Sequence, residues 1–238
     1  MTLFDLIGAI GLTASAAIVI GILGHWYAAG KDGNQRILAW HAVWFVLIAG
    51  LGATGTFNYP AGIGTPGLGV AVMLPVAIIA ILAIRVPSLR AALLSIPLST
   101  LIGVNTVRVL GLFFVLLYMN GRLPAPFAPT AGWGDIVIGA TALPVAWALS
   151  RRASGWRTMA LVWNSLGLLD LFAAVGLGVA SAEGSPLRVF YGEPSTAVMT
   201  GLPWLLIPAF LVPNLILTHL AVFHRIGAAS EVSRSLPT

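Results

Sequence analysis

Seven stretches of about twenty predominantly apolar residues leave this chain few ways to fold; they lie near 3–25, 37–57, 68–86, 98–119, 132–150, 158–180 and 200–223. A run of that length matches the roughly 30 Å hydrocarbon core of a bilayer at about 1.5 Å of rise per residue. Lipid offers no partner for backbone N–H and C=O groups, so each run has to be helical. The spacers are short and rich in turn residues, as in Lys31-Asp32-Gly33-Asn34, Asn58-Tyr59-Pro60 and Leu123-Pro124-Ala125-Pro126. The expectation is an all-α, seven-transmembrane-helix bundle forming a single integral membrane domain over 1–238, with no room for a soluble one. Composition agrees, since 58% of residues are hydrophobic and 8% charged, where a soluble domain carries about 25% charged residues.

Charge placement sets the expected orientation, because Lys and Arg are retained on the cytoplasmic side. An outside N-terminus and a cytoplasmic C-terminus, with 226–238 as a short cytoplasmic tail, put Lys31, Arg36, Arg85, Arg90, Arg151, Arg152, Arg157, Arg225 and Arg234 inside. Only Arg122 and Arg188 fall outside. The net charge of +5 is therefore a topology signal; the basic residues are dispersed and form no stripe for nucleic acid. No basic residue precedes the first apolar run, so it reads as a retained helix and not as a secretory signal. The absence of cysteine excludes disulfides, thiolate zinc sites, Cys-ligated iron–sulfur clusters and covalently attached c-type haem.

Two local patterns stay open at this level. Residues 88–96, between Pro87 and Pro97, read either as a short helix lying in the membrane interface or as an extension of a neighbouring span. Leu-Pro-Val-Ala occurs at 74–77 and again at 143–146, each time one helix before an asparagine, which is either a trace of a helix-pair repeat or coincidence in an apolar background.

Arg108 is the residue that asks for chemistry. It sits at the middle of the 98–119 span, where an Arg costs roughly 2.5–3.5 kcal/mol on insertion scales and should face the bundle interior with a partner. Asp170, at the middle of the 158–180 span, shares that depth and is the expected partner through a bidentate fork. Asp135, near the start of a helix predicted from 132, is placed about 10–15 Å outward, as a helix cap or a solute contact at the outer mouth. Asn105, Asn164 and Asn214 are expected to form a polar shelf on the cytoplasmic side of the midplane. Pro75, Pro144, Pro208 and Pro213 free backbone carbonyls at similar depths. Interrupted helices with mid-membrane polar groups suit a solute or ion site, and asparagines across helices also serve as ordinary glue.

Other motifs are weaker. Gly62-Ile63-Gly64-Thr65-Pro66-Gly67 matches the dinucleotide pattern by letter, but no strand precedes it and it reads as a tight turn between membrane helices. His25 and His224 belong to helix ends. His41 and His219 fall at matched depth, so they read either as axial ligands of a b-type haem or as a belt residue and a partner of a proline-freed carbonyl. The one lysine, Lys31, lies in a loop, so no helix carries an amine for a retinal Schiff base. No serine-hydrolase or zinc-protease motif is present, and no metal site and no cofactor other than the alternative haem is expected.

Ala131-Gly132-Trp133-Gly134-Asp135 and Trp163-Asn164-Ser165-Leu166-Gly167-Leu168-Leu169-Asp170 resemble A-G-x-G-D and W-N-x-x-G-x-x-D stretches of uncharacterised bacterial polytopic inner-membrane proteins. The resemblance covers the second half of the chain and implies a multi-pass protein of the bacterial inner membrane, with no activity attached. The leading expectation is a membrane protein that binds or translocates a small polar or anionic solute, or protons, at Arg108, Asp170, Asp135 and the three asparagines. The alternatives are a haem-binding redox protein using His41 and His219, and an accessory subunit with no chemistry of its own whose small-residue face at Ala174 and Gly178 packs on partner helices. A homo-oligomer or larger complex fits a bundle this small.

Overall fold

The computed structural model describes residues 2–27 and 33–235, with side chains over 2–25 and 38–227; Lys31, Arg36, Arg234 and most of the expected tail lie outside the described side chains. The chain is all-helical, with no strand among the described residues. Its helices are α1 (Leu3–Tyr27), α2 (Gly33–Ala53), α3 (Gly64–Arg85), α4 (Pro87–Ser95), α5 (Leu98–Gly103), α6 (Leu112–Met119), α7 (Phe127–Ser150), α8 (Trp156–Ala180) and α9 (Val212–Ser235). A 3-10 segment, Val104–Gly111, joins α5 to α6, and a π-helical segment, Ile207–Leu211, leads into α9.

Six candidate spans are long and apolar enough to cross a membrane: Leu3–His25, Gly64–Arg85, Leu98–Met119, Phe127–Ser150, Trp156–Ala180 and Ile207–Gly227. The apolar part of α2, Leu38–Ala53, is shorter. Side-chain contacts order the ends. Asp5 of α1 meets Arg122 and Trp204, Thr200 donates to Asn58, and Tyr59 packs on Gly184, so these turns share one end. The α3–α4 and α7–α8 turns and the far end of α9 lie at the other, where Arg225 donates to the carbonyl of Ile96.

Prolines account for several element boundaries. Val86 and Ile96 are extended, as residues before proline tend to be, and so α4 stands apart as its own nine-residue helix between Pro87 and Pro97. The expected start of the fifth span at 132 is corrected to 127. Pro129 falls in the first turn of α7, where its missing N–H costs no intrahelical bond. The expected helix over 200–223 is corrected as well: residues 201–205 form a bend and turns around Pro203, the π segment carries Pro208, and regular helix starts at Val212. It then runs through the first part of the expected tail to Ser235.

The 98–119 span is not one regular helix. Its centre is 3-10, with three residues per turn, so Asn105, Arg108 and Gly111 line up in one row, and all three are buried. The 3-10 segment makes its most extensive packing with α7. The approach is backbone to backbone. A Cβ on Gly139 would meet the amide nitrogen of Val109, and one on Gly132 would lie 3.0 Å from the carbonyl oxygen of Gly111. Only glycine allows helix and 3-10 segment to come this close.

Candidate functional site

Arg108 lies at the centre of a buried cluster built by four elements, and its side chain is 1% exposed. The 3-10 row aims it between α7, α8 and α9. Its Nε–H donates to Asp135 Oδ1 at 2.6 Å, and its Nη2 donates to Asp170 Oδ2. Nη1 donates to the carbonyl oxygen of Gly167 at 2.9 Å and to Nε2 of His219 at 3.3 Å. Two carboxylates from neighbouring helices therefore divide one edge of one guanidinium.

This corrects two expectations. Asp170 meets Arg108, but through one oxygen, because Asp135 occupies the other half of the fork. Asp135 is neither a cap nor a residue of the outer mouth: with α7 starting at Phe127 it lies in the third turn, about 5 Å from the middle of the helix. Gly132, Asp135 and Gly139 fall at i, i+3 and i+7, on one helical face, and the two glycines bring that face onto the Arg108 backbone. That spacing is readable in the sequence, whereas depth along the span does not reveal it.

His219 belongs to this cluster. Arginine has no acceptor, so the His219 Nε2 facing it is the acceptor and the ring proton sits on Nδ1. The Nδ1–H then donates to Asn164 Oδ1 at 2.7 Å, while Asn164 Nδ2 donates to the backbone oxygen of His219 at 3.0 Å. Both amide groups of Asn164 are thus spent on fixing one imidazole. Trp163 stacks beside that ring, with centroids 5.8 Å apart, and its indole N–H donates to Thr141 Oγ1. Because both ring nitrogens of His219 are engaged, the ring has none left to offer an iron in this arrangement.

The expected asparagine shelf divides. Asn164 serves the Arg108 cluster. Asn214 accepts from Nε2 of His41 at 3.1 Å and donates to the carbonyl of Phe210. Asn105 donates to the Leu101 carbonyl at 2.9 Å and to Thr218 Oγ1 at 3.4 Å, and its Oδ1 has no partner among the described residues although the residue is 1% exposed. Asn105 and Asn164 thereby reach adjacent residues of α9, Thr218 and His219.

Asp135, Trp163, Asn164 and Asp170 of the two quoted stretches all take part in this cluster. Gly134 makes room for the Asp170 carboxylate, which lies where a Cβ would stand, and Gly167 lets the His219 ring approach, with Cε1 2.5 Å from a Cβ built there. Ala174 and Gly178 are part-buried on α8. Both residues line an apolar cavity of about 100 Å³ with Phe114 and Phe127. No group of three or more His, Cys, Asp or Glu arranged for a metal occurs among the described residues.

The carboxylates are less enclosed than the arginine. Asp135 and Asp170 side chains keep 13% and 15% exposure, and Val137 and Leu166 on the same two helices are exposed.

No curated protein and no solved structure matches the chain. The pattern of one family, described as a domain of unknown function, matches residues 65–226, a stretch that leaves out α1 and α2 and contains Arg108, Asp135, Asn164, Asp170 and His219. The match covers well over half of the chain, which therefore belongs to the family DUF8737.

Proposed function

We propose that this multi-pass membrane protein binds a proton at the Arg108–Asp135–Asp170 cluster and passes it across the bilayer. The observation that carries the reading is the shared guanidinium edge. One cation faces two carboxylates, so the fully ionised cluster has a formal charge of −1 in mid-span. An unbalanced charge is expensive at that depth, and a single proton on the carboxylate pair removes it. An anionic solute is the weaker reading, because the positive charge of Arg108 is already spent on two acids. Neutral His219, held by Asn164, and the unpartnered Oδ1 of Asn105 one 3-10 turn away supply polar footing towards the end of the bundle where α9 terminates.

The same proposal takes α2 as a seventh crossing, with the N-terminus outside. Leu38 at its start packs on Gly24 of α1, and Gly52 near its end packs on Leu202 and Leu205, so α2 runs from one end of the bundle to the other. The membrane we assign is a bacterial inner membrane, on the resemblance of residues 131–139 and 163–170.

Infrared difference spectroscopy on the reconstituted protein tests the reading. The wild type should show one carboxylic-acid C=O band that disappears on alkalinisation. Asp135→Asn and Asp170→Asn should each abolish it, since either leaves a neutral ion pair. Liposomes with an internal pH dye should take up protons under an imposed potential, and either variant should cut the rate by about tenfold or more. A wild-type protein with no titrating carboxylic-acid band at any accessible pH would falsify the proposal.

A second reading has one observation behind it. Asp135 and Asp170 keep 13% and 15% side-chain exposure, and on the same two helices Val137 and Leu166 are exposed apolar residues that a partner helix would cover, so an accessory subunit is the alternative. Stoichiometric co-purification of another membrane protein in mild detergent, lost on Leu166→Arg, favours it.

A further inference from the structure

At the end of the bundle away from Asp5 lies a cleft of about 570 Å³ between the start of α5 and the turn joining α7 to α8. Its polar lining comes from Ser99, Ser150, Arg152 and Arg157, with Trp156 on one wall and Leu98 and Leu149 below. We propose that this cleft binds the phosphate headgroup of an anionic phospholipid.

Charge is the first argument. Arg85, Arg90, Arg151, Arg152, Arg157 and Arg225 all lie at this end, where the last turns of α9 add a single acid, Glu231; of the other described carboxylates, Asp5, Glu183 and Glu193 are at the opposite end, and Asp135 and Asp170 are in mid-span. Neither cleft arginine has an ion-pair partner among the described residues. The cationic side of a membrane protein meets the anionic leaflet surface, and basic pockets between spans there suit phosphate headgroups.

Backbone conformation is the second. Arg152 follows α7 with φ of 49°, and it is the only non-glycine residue with positive φ among the described residues. Glycine is the ordinary occupant of that position after a helix. Here the chain places a charged side chain in the strained conformation, at the mouth of the cleft. Trp156 and Arg157 begin α8, which has no side-chain cap, and the positive end of its dipole favours an anion.

The walls identify the source of the phosphate. Trp156 carries Arg157 over its ring at 5.4 Å, and Arg151 lies over Trp147 at 5.6 Å. Tryptophan at this depth marks the headgroup layer. Leu98 and Leu149 continue the cleft with apolar surface along which an acyl chain can run, which a soluble phosphate ester would not use.

The test uses the full chain in nanodiscs of phosphatidylcholine with added phosphatidylglycerol, and retained lipid is counted by native mass spectrometry. Phosphatidylglycerol should be held in preference to phosphatidylcholine. Each arginine should be worth about fivefold in that preference and the pair about 25-fold, so Arg157→Gln and Arg152→Gly/Arg157→Gln should lose it stepwise. Arg188→Gln, at the other end, should leave it unchanged. Arg152→Gly separates binding from folding: it should hold or raise the Tm in neutral detergent while retention falls, because glycine relieves the left-handed conformation. Equal retention of the two lipids, wild-type retention by the double variant, or a lowered Tm for Arg152→Gly overturns the proposal. So does inorganic phosphate that binds the lipid-free protein with the same arginine dependence and displaces phosphatidylglycerol, which would assign the cleft to a soluble anion.

Discussion

Arg108 is satisfied by two carboxylates, a carbonyl and an imidazole, so the consequences of removing it differ from those of removing any one partner. Arg108→Leu strands both aspartates in mid-span and should cost about 3–5 kcal/mol, the range found when a buried ion pair loses one member. Asp135→Asn or Asp170→Asn leaves a neutral pair and should cost far less, so the ranking of Tm values in detergent checks the geometry directly. Removing Arg108 and Asp170 together is not a neutral excision, because Asp135 remains. Only the triple replacement by leucine clears the cluster, and it should be more stable than the double. If the double and triple variants unfold at the same temperature, Asp135 is not part of the cluster.

Among the elements, the 3-10 segment and α7 decide where these side chains meet. Three residues per turn put Asn105, Arg108 and Gly111 in one row, and Gly132 and Gly139 let that row lie against α7. Gly139→Ala should therefore cost about 1–3 kcal/mol, the range for overpacking against groups that cannot move aside, and should weaken the carboxylic-acid band by displacing Asp135. Gly176→Ala, on α8 with nothing within 4 Å of a new Cβ, should be neutral or stabilising by up to about 1 kcal/mol. Thermal melts of the pair, with the infrared band as second readout, distinguish contact from helix propensity. The legibility of these elements in the sequence was uneven. Helical spans followed from length and hydropathy, whereas the stretch bracketed by Pro87 and Pro97 stayed open between a separate helix and an extension of its neighbour until the structure showed α4. The start of α7 did not, because Pro129 looks like a breaker until the first turn is known to include it.

For the whole molecule, topology is the property open to a direct test. The chain has no cysteine, so single cysteines report without background. Cysteine in place of Asn58, Arg122 or Ser185 should react with an impermeant maleimide on one side of the membrane, and cysteine in place of Ser88 or Ala153 only on the other. Labelling of Asn58 and of a cysteine in place of Thr2 on opposite sides would mean that α2 does not cross. The Asp5–Arg122–Trp204 contact clamps α1 to this architecture. Arg122 keeps 32% side-chain exposure, so Arg122→Gln should shift stability by no more than about 1 kcal/mol.

The amino-acid sequence by itself determined that this is a multi-pass helical protein, that its charges are asymmetric between the ends, and that Arg108 needs a partner in mid-span. Those properties add up residue by residue against the thickness and dielectric of a bilayer, so no knowledge of neighbours is needed. Which groups answer Arg108 was decided by tertiary structure alone. Depth along a span admitted Asp170 and argued against Asp135, but distance between helices is set where glycines let backbones touch, and a hydrogen bond is lost within an ångström. Depth alone did not reveal either histidine's partner: His41 meets Asn214, and His219 meets Arg108 and Asn164.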